Sequence, residues 1–207
     1  MTRPALFAAA GVILALAVTP FAVEARGPFT SVPAEVQAGT YTFDPGHTKI
    51  TWSTTHFGFS TYTGQFGKVG GSLTLDPKEA TKAALDVTVD TTSLGTLNPA
   101  LDTHLKSADF LDVATFPTAT FHATNIKLTG ARTAAITGDL TLHGVTRPVV
   151  VEATFNQAGV NPLDKTYSLG FDGKAVIKRS AFGVSAYVPA VGDDITLTIE
   201  AELKKVG

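Results

Sequence analysis

The side chains of this 207-residue chain that could bind or transform a ligand are few in kind: five histidines, one tryptophan, thirteen phenylalanines and scattered charges. There is no cysteine, so thiolate catalysis, disulfides and Cys-ligated zinc are excluded. No Gly-x-Ser-x-Gly, His-Glu-x-x-His, phosphate-cradling loop or EF-hand spacing occurs. The histidines are spread along the chain. His47 follows Asp44-Pro45-Gly46 and His143 sits in a turn, which points to local hydrogen bonding, while His122 is out of phase with Phe121 and so faces solvent. His56 and His104 fall on apolar faces, where a neutral ring could donate a proton or a hydrogen bond. Phe57, Phe59, Phe66, Phe110, Phe116, Phe121, Phe171 and Phe182 cluster near segment ends, and they can wall a pocket without burying an unsatisfied polar atom.

The chemistry open to such residues is burial of an apolar chain. Each buried methylene contributes about 0.8 kcal/mol, and micromolar binding needs about 8.2 kcal/mol net of association costs. A tail of roughly 15 to 40 carbons could therefore bind through its chain alone. Polar groups would fix the head group, with Arg179 for an anionic head and His56 or His104 as a neutral donor. The walls on this reading are Trp52, Phe57, Phe59, Leu101, Leu105, Phe110, Phe121, Phe171 and Phe182. No metal, cofactor or catalytic residue is assigned.

The elements that must position these residues repeat with period two. Ile50, Trp52, Thr54 and His56 share a face, as do Leu85, Val87 and Val89; Tyr167, Leu169, Phe171, Ala175 and Ile177; and Ile195, Leu197, Ile199, Ala201 and Leu203. The opposite faces are largely Thr, Ser, Lys, Asp and Glu, the alternation of antiparallel strands with one wet face. In Gly138–Phe155, His143-Gly144-Val145-Thr146 separates two such runs as a β-hairpin, with Gly144 free to take φ > 0 and Pro148 expected at a strand's first residue. About eight candidate strands make an all-β fold that must close or stack to remove its edges, as a barrel or a sandwich. One segment breaks the pattern. Asn98 suits an N-cap and Pro99 a first turn, and Leu101, His104, Leu105 and Ala108 follow at helical spacing, predicting a short helix near 98–112 that lids or plugs one end.

Residues 1–25 read as a secretory signal peptide: Arg3, an apolar run over Leu6–Val18, and Val23-Glu24-Ala25 before cleavage. The run is shorter than the roughly 20 residues of a transmembrane helix, and no stretch after it could span a bilayer, so the mature protein is expected to be periplasmic or secreted. Cleavage removes one base and one acid, leaving the net charge at −2, which argues against nucleic acid or an anionic bilayer as the main partner. Residues 26–39 are expected to be a flexible lead-in, and 40–207 a single domain.

Six ordered blocks resemble the YceI-like, polyisoprenoid-binding family of bacterial extracytoplasmic proteins. They are Tyr41-Thr-Phe-Asp-Pro-Gly-His47; His56-Phe57-Gly58-Phe59-Ser60-Thr61 with Gly64-Gln65-Phe66; Leu101–Asp112 with Phe116-Pro117 and Thr120-Phe121; Gly138–Pro148; Ile177-Lys178-Arg179-Ser180-Ala181-Phe182-Gly183; and Val191-Gly192-Asp193-Asp194. Ala181 stands where the family pattern has an acid. The resemblance implies a lipocalin-like barrel rather than a sandwich, and an isoprenoid, quinone or other amphiphilic lipid as ligand. The expected function is a monomeric or homodimeric carrier that buries its ligand reversibly and is not an enzyme. Its rivals are a lipid hydrolase or isomerase using the pocket histidines, and a stress or interaction protein whose pocket is merely its core.

Overall fold

The β-branched and aromatic runs fold as twelve strands in a computed structural model that describes residues 28–207. They are β1 (Phe29–Thr30), β2 (Gly39–Phe43), β3 (Lys49–His56), β4 (Ser60–Phe66), β5 (Val69–Leu75), β6 (Ala84–Asp90), β7 (Leu94–Gly95), β8 (Thr118–Leu128), β9 (Thr133–Leu142), β10 (Val145–Val160), β11 (Tyr167–Lys178) and β12 (Asp194–Lys205). All pairings are antiparallel. Both β2 and β3 lie along one side of β12, at Leu203↔Phe43 and Thr196↔Ser53. The same break divides β4 from β5 and β6 from β7, so these six strands form three staves. With β8 to β12 they close a barrel of eight. Closure leaves no continuous free edge, which is the physical demand that the many short strands imposed.

Local chemistry explains the turns. Val145 pairs with Leu142, and His143 and Gly144 between them take φ values of 50° and 73°, the left-handed pair that a tight hairpin needs. Pro148 is not a strand's first residue; it is inside β10, opposite Asp139. Alternation from the Val145–Leu142 closing pair puts it at a position that owes no hydrogen bond to β9. On its other side β11 pairs only from Glu152 onward, so the missing N–H leaves no gap in either ladder.

The lead-in also departs from expectation. Phe29 pairs with Gly159, Val36 is buried, and Tyr41 donates its hydroxyl to the Gln37 carbonyl. Residues 28–39 are therefore held by the barrel rather than hanging from it. The signal-peptide reading lies outside the described residues.

The interior divides along the barrel axis. At the end where β10 meets β1, Val36, Tyr41, Leu73, Phe155, Ala158, Leu169 and Leu203 pack into a closed core, with Phe43, Leu85 and Phe171 against it. The opposite end is crossed by a single α-helix, α1 (Pro99–Lys106), capped by the Asn98 side chain, which accepts from the Leu101 amide at 3.2 Å. The predicted helix thus ends six residues early: Ser107 terminates it, and turns carry the chain to Phe116.

Candidate ligand-binding cavity

Between α1 and the packed core lies a cavity of about 630 Å³, within the roughly 300–1,000 Å³ typical of ligand sites. The inward face read from alternation in β3 forms one wall: Ile50, Trp52, Thr54 and His56 all line it. Ile195 and Leu197 of β12, Leu140 and Leu142 of β9, and Val89 and Ala119 add apolar surface. Leu101, His104, Leu105, Phe110 and Leu111 close over it from α1 and the turns behind. His56, Phe57, Ser60 and Tyr187 are lining residues that are also exposed, and they mark the opening.

The threonine hydroxyls of the wall are turned to the backbone. Thr54 donates to the Gly192 or Asp194 carbonyl at 3.1 Å, and Thr91 to the Phe116 carbonyl at 2.8 Å. The Trp52 indole N–H is buried without a partner among the described residues. Its ring lies across Gly64, where any Cβ would sit 2.4 Å from it, so the glycine is what lets β4 carry the indole as wall.

Arg179 lines the cavity but is not free to receive an anionic head. It is only 5% exposed. Its Nε donates to the Gly192 carbonyl at 2.9 Å, and its two terminal nitrogens to Val184 and Val191 carbonyls, each at 3.0 Å. The guanidinium lies 6.0 Å from the Phe110 ring centroid. Burial pulls its pKa below the ordinary value, and the three carbonyls satisfy the charge where a ligand was expected to. The fork therefore ties the 184–192 loop to the barrel rim. Ala181, beside it, is exposed and outside the cavity; Asp193 from the following block accepts from the Ser180 amide and hydroxyl.

Of the other sequence candidates, Trp52, His56, Phe57, Leu101, His104, Leu105 and Phe110 come together on the cavity. Four do not. Phe59 is 90% exposed at the tip of the β3–β4 hairpin. Phe171 packs against Phe155 in the closed core, ring centroids 5.4 Å apart. Phe121 covers Gly138, whose added Cβ would meet its ring at 2.3 Å. Phe182 is buried behind the rim, its carbonyl 3.1 Å from the His143 ring. Tyr62 and Tyr187 were not among the sequence candidates. Tyr62 stands opposite Thr54 in the β3–β4 ladder and was open to the same alternation argument. Tyr187 reaches the cavity only through the loop that Arg179 holds, its ring 6.2 Å from His104 and 6.1 Å from Phe110.

The histidines divide as their positions imply. His47 meets Asp44 at 2.8 Å, and His122 meets Asp86 at 2.6 Å on the outer surface. His56 and His104 make ring contacts with Phe57 and Phe110, and their ring nitrogens have no hydrogen-bond partner among the described residues. Neither faces a carboxylate in the arrangement a nucleophilic triad requires. At the closed end Asp44, His47 and Glu202 offer ligand atoms within 4.8 Å of one another. Lys204 already occupies that ground, 2.9 Å from Asp44 and 2.7 Å from Asp164. The Lys204 and His47 hydrogen bonds hold the Asp44 carboxyl well below the usual carboxylate range, so the cluster is a salt-bridged stave joint.

A closed antiparallel eight-stranded barrel, packed at one end and hollow and apolar at the other, places the molecule in the lipocalin-like class of barrels. Residues 41–203 match the model of the YceI-like domain, and the chain belongs to that family. It is 37% identical over 174 residues to a UPF0312 protein of Pseudomonas syringae pv. tomato, covering 83% of this chain and 90% of that one. The fold matches the crystal structure of Burkholderia cenocepacia BcnA with a TM-score of 0.70 and 26% identity, over 77% of this chain and 98% of that one. A polyisoprenoid binding domain from Saccharophagus degradans, implicated in plant cell wall breakdown, shares the fold with a TM-score of 0.61. It is 13% identical and is matched over 82% of this chain and the whole of the other.

Proposed function

We propose that this protein is an extracytoplasmic carrier that buries a long-chain amphiphile, a polyisoprenoid, quinone or fatty derivative, in the barrel cavity. One observation carries the reading: a 630 Å³ apolar space that opens at one end of the barrel, with the deeper threonines turned to backbone carbonyls. Such a wall has little to offer a polar substrate and much to offer a hydrocarbon tail. The free ring nitrogens of His56 and His104 and the tyrosine hydroxyls near the mouth are placed for a head group. The polyisoprenoid binding of the Saccharophagus domain supports the ligand class, and the apolar segment at 6–18 supports export. No bond is made or broken on this reading; release reverses uptake.

Native mass spectrometry of the mature protein, taken from its own compartment and then denatured, tests it. The expected result is excess mass that disappears on denaturation and identifies the tail. A bare polypeptide mass, persisting after incubation with polyprenyl phosphate and ubiquinone, would overturn it. Alanine at His56 and His104 separates carrier from enzyme: the carrier loses affinity at most, about tenfold for one lost hydrogen bond, whereas a hydrolase or isomerase loses turnover.

A further inference from the structure

The end of the barrel that holds the cavity mouth also carries the largest exposed apolar side chains near it. Phe59 is 90% exposed, Phe57 51%, Tyr187 58%, and Leu97 is fully exposed. Phe57 and Phe59 form the tip of the β3–β4 hairpin, Tyr187 belongs to the loop that hairpin touches through Phe57 N–H and the Ala190 carbonyl, and Leu97 leads into α1. Phe57 and Tyr187 line the cavity as well, so two of these side chains belong both to the outer surface and to the cavity wall.

The segments bearing these residues are uncharged. No Asp, Glu, Lys or Arg occurs in 50–66, in 91–101 or in 180–192, although such residues make up 16% of the chain. Of the charges on the lid and rim, four are engaged: Asp102 accepts from Thr96, Lys178 pairs with Asp194, and Asp193 binds Ser180. Lys106, Asp109 and Asp112 complete the lid. Four scattered side chains offer less than the roughly 800 Å² per partner of a stable protein interface. Shallow insertion into a bilayer needs no such area, since binding there scales with the few apolar groups immersed.

The geometry points to a membrane-docking rim: Phe57, Phe59, Leu97 and Tyr187 insert at the surface of a bilayer of uncharged or zwitterionic lipid and seat the cavity mouth against it. The inference deepens the carrier reading and rests on it, because docking lets a tail pass from bilayer to cavity without crossing water. The uncharged segments that carry these four side chains match a zwitterionic surface, where a protein of net charge −2 meets no repulsion.

The test uses the mature protein and a double variant, Phe59→Asp with Leu97→Asp, both positions lying outside the cavity lining. Flotation with phosphatidylcholine vesicles measures docking, and the rate of decylubiquinone transfer from those vesicles is followed against vesicle concentration. Uptake of decylubiquinone from dilute detergent measures the cavity alone. The expected result is that the parent floats and its transfer rate rises with vesicle concentration. The variant should lose at least tenfold in both while its uptake from detergent is unchanged. A variant that floats and transfers like the parent would overturn the rim, as would a parent that binds only vesicles containing phosphatidylglycerol. A parent that floats yet takes up no decylubiquinone from detergent would leave the rim standing and sink the carrier reading instead.

Discussion

Arg179 shows how a residue's type can be read from sequence while its task cannot. The block Ile177–Gly183 marks it as special, and a cation beside apolar walls invites a head group. Its partners, the carbonyls of Val184, Val191 and Gly192, are backbone atoms of a loop, and no side-chain pattern announces them. Arg179→Met would leave the Val184 and Val191 carbonyls without a donor and the Gly192 carbonyl with Thr54 alone, at about 1–3 kcal/mol for each unpaired acceptor. We therefore expect a loss of at least about 2 kcal/mol in urea unfolding, with Tyr187 released from the mouth. A fully stable variant that merely failed to bind ligand would restore the head-group role. Tyr41 tests burial at the other end. Burial pushes its phenol up to about 12, above the unfolded value of about 10. Between these values the folded form holds the proton that the unfolded form releases, so its stabilisation is complete below pH 10 and declines as pH rises toward 12. Tyr41→Phe should remove that alkaline sensitivity, at a neutral-pH cost of about 1 kcal/mol for the hydrogen bond to Gln37.

At the level of elements the sequence is most transparent where periodicity and turn chemistry agree. The β3 face, the hairpin at His143-Gly144 and the start of α1 each follow from local rules, because their determinants lie within a few residues. Asn98→Ala should cost about 1 kcal/mol, the usual contribution of a side-chain N-cap, seen as earlier loss of protection in α1 amide exchange. The end of α1 was less legible, since Leu105, Ala108 and Leu111 continue a helical spacing that turns interrupt after Ser107. The Trp52–Gly64 pair is a cross-strand feature, visible only once the register is known. Gly64→Ala forces the indole out of place and should destabilise by about 1–3 kcal/mol, with a change in tryptophan fluorescence. Unaltered fluorescence and stability would show that the ring does not depend on that space.

On the scale of the whole molecule, the barrel is packed where Tyr41, Phe155 and Leu169 fill it and hollow where Ala119, Leu140 and Leu142 line the cavity. Ala119→Phe should fill part of that space, leaving thermal stability equal or higher while lowering affinity for decylubiquinone at least tenfold; unchanged affinity would mean that the ligand lies elsewhere. The Asp44–Lys204–Asp164 joint at the closed end gives an acid counterpart. The Asp44 pKa is depressed by Lys204 and His47, so the unfolded chain takes up a proton first. Its stabilisation is present above the unfolded value of about 3.9 and is lost as pH falls further. Asp44→Asn should therefore flatten acid unfolding below pH 4 while lowering stability at pH 7. Period-two alternation was enough to say which side of β3, β6, β11 and β12 faces inward, because that depends on neighbouring residues alone, whereas the bulges at Ala123/Asn125 and Phe155/Gln157 interrupt it in β8 and β10. Height along the barrel axis depends on the register between strands far apart in the chain. That register sends Phe171 against Phe155 in the core, while the backbone bonds of Arg179 to Val184 and Val191 hold the loop that brings Tyr187 to the mouth, and no local pattern in the sequence contains either.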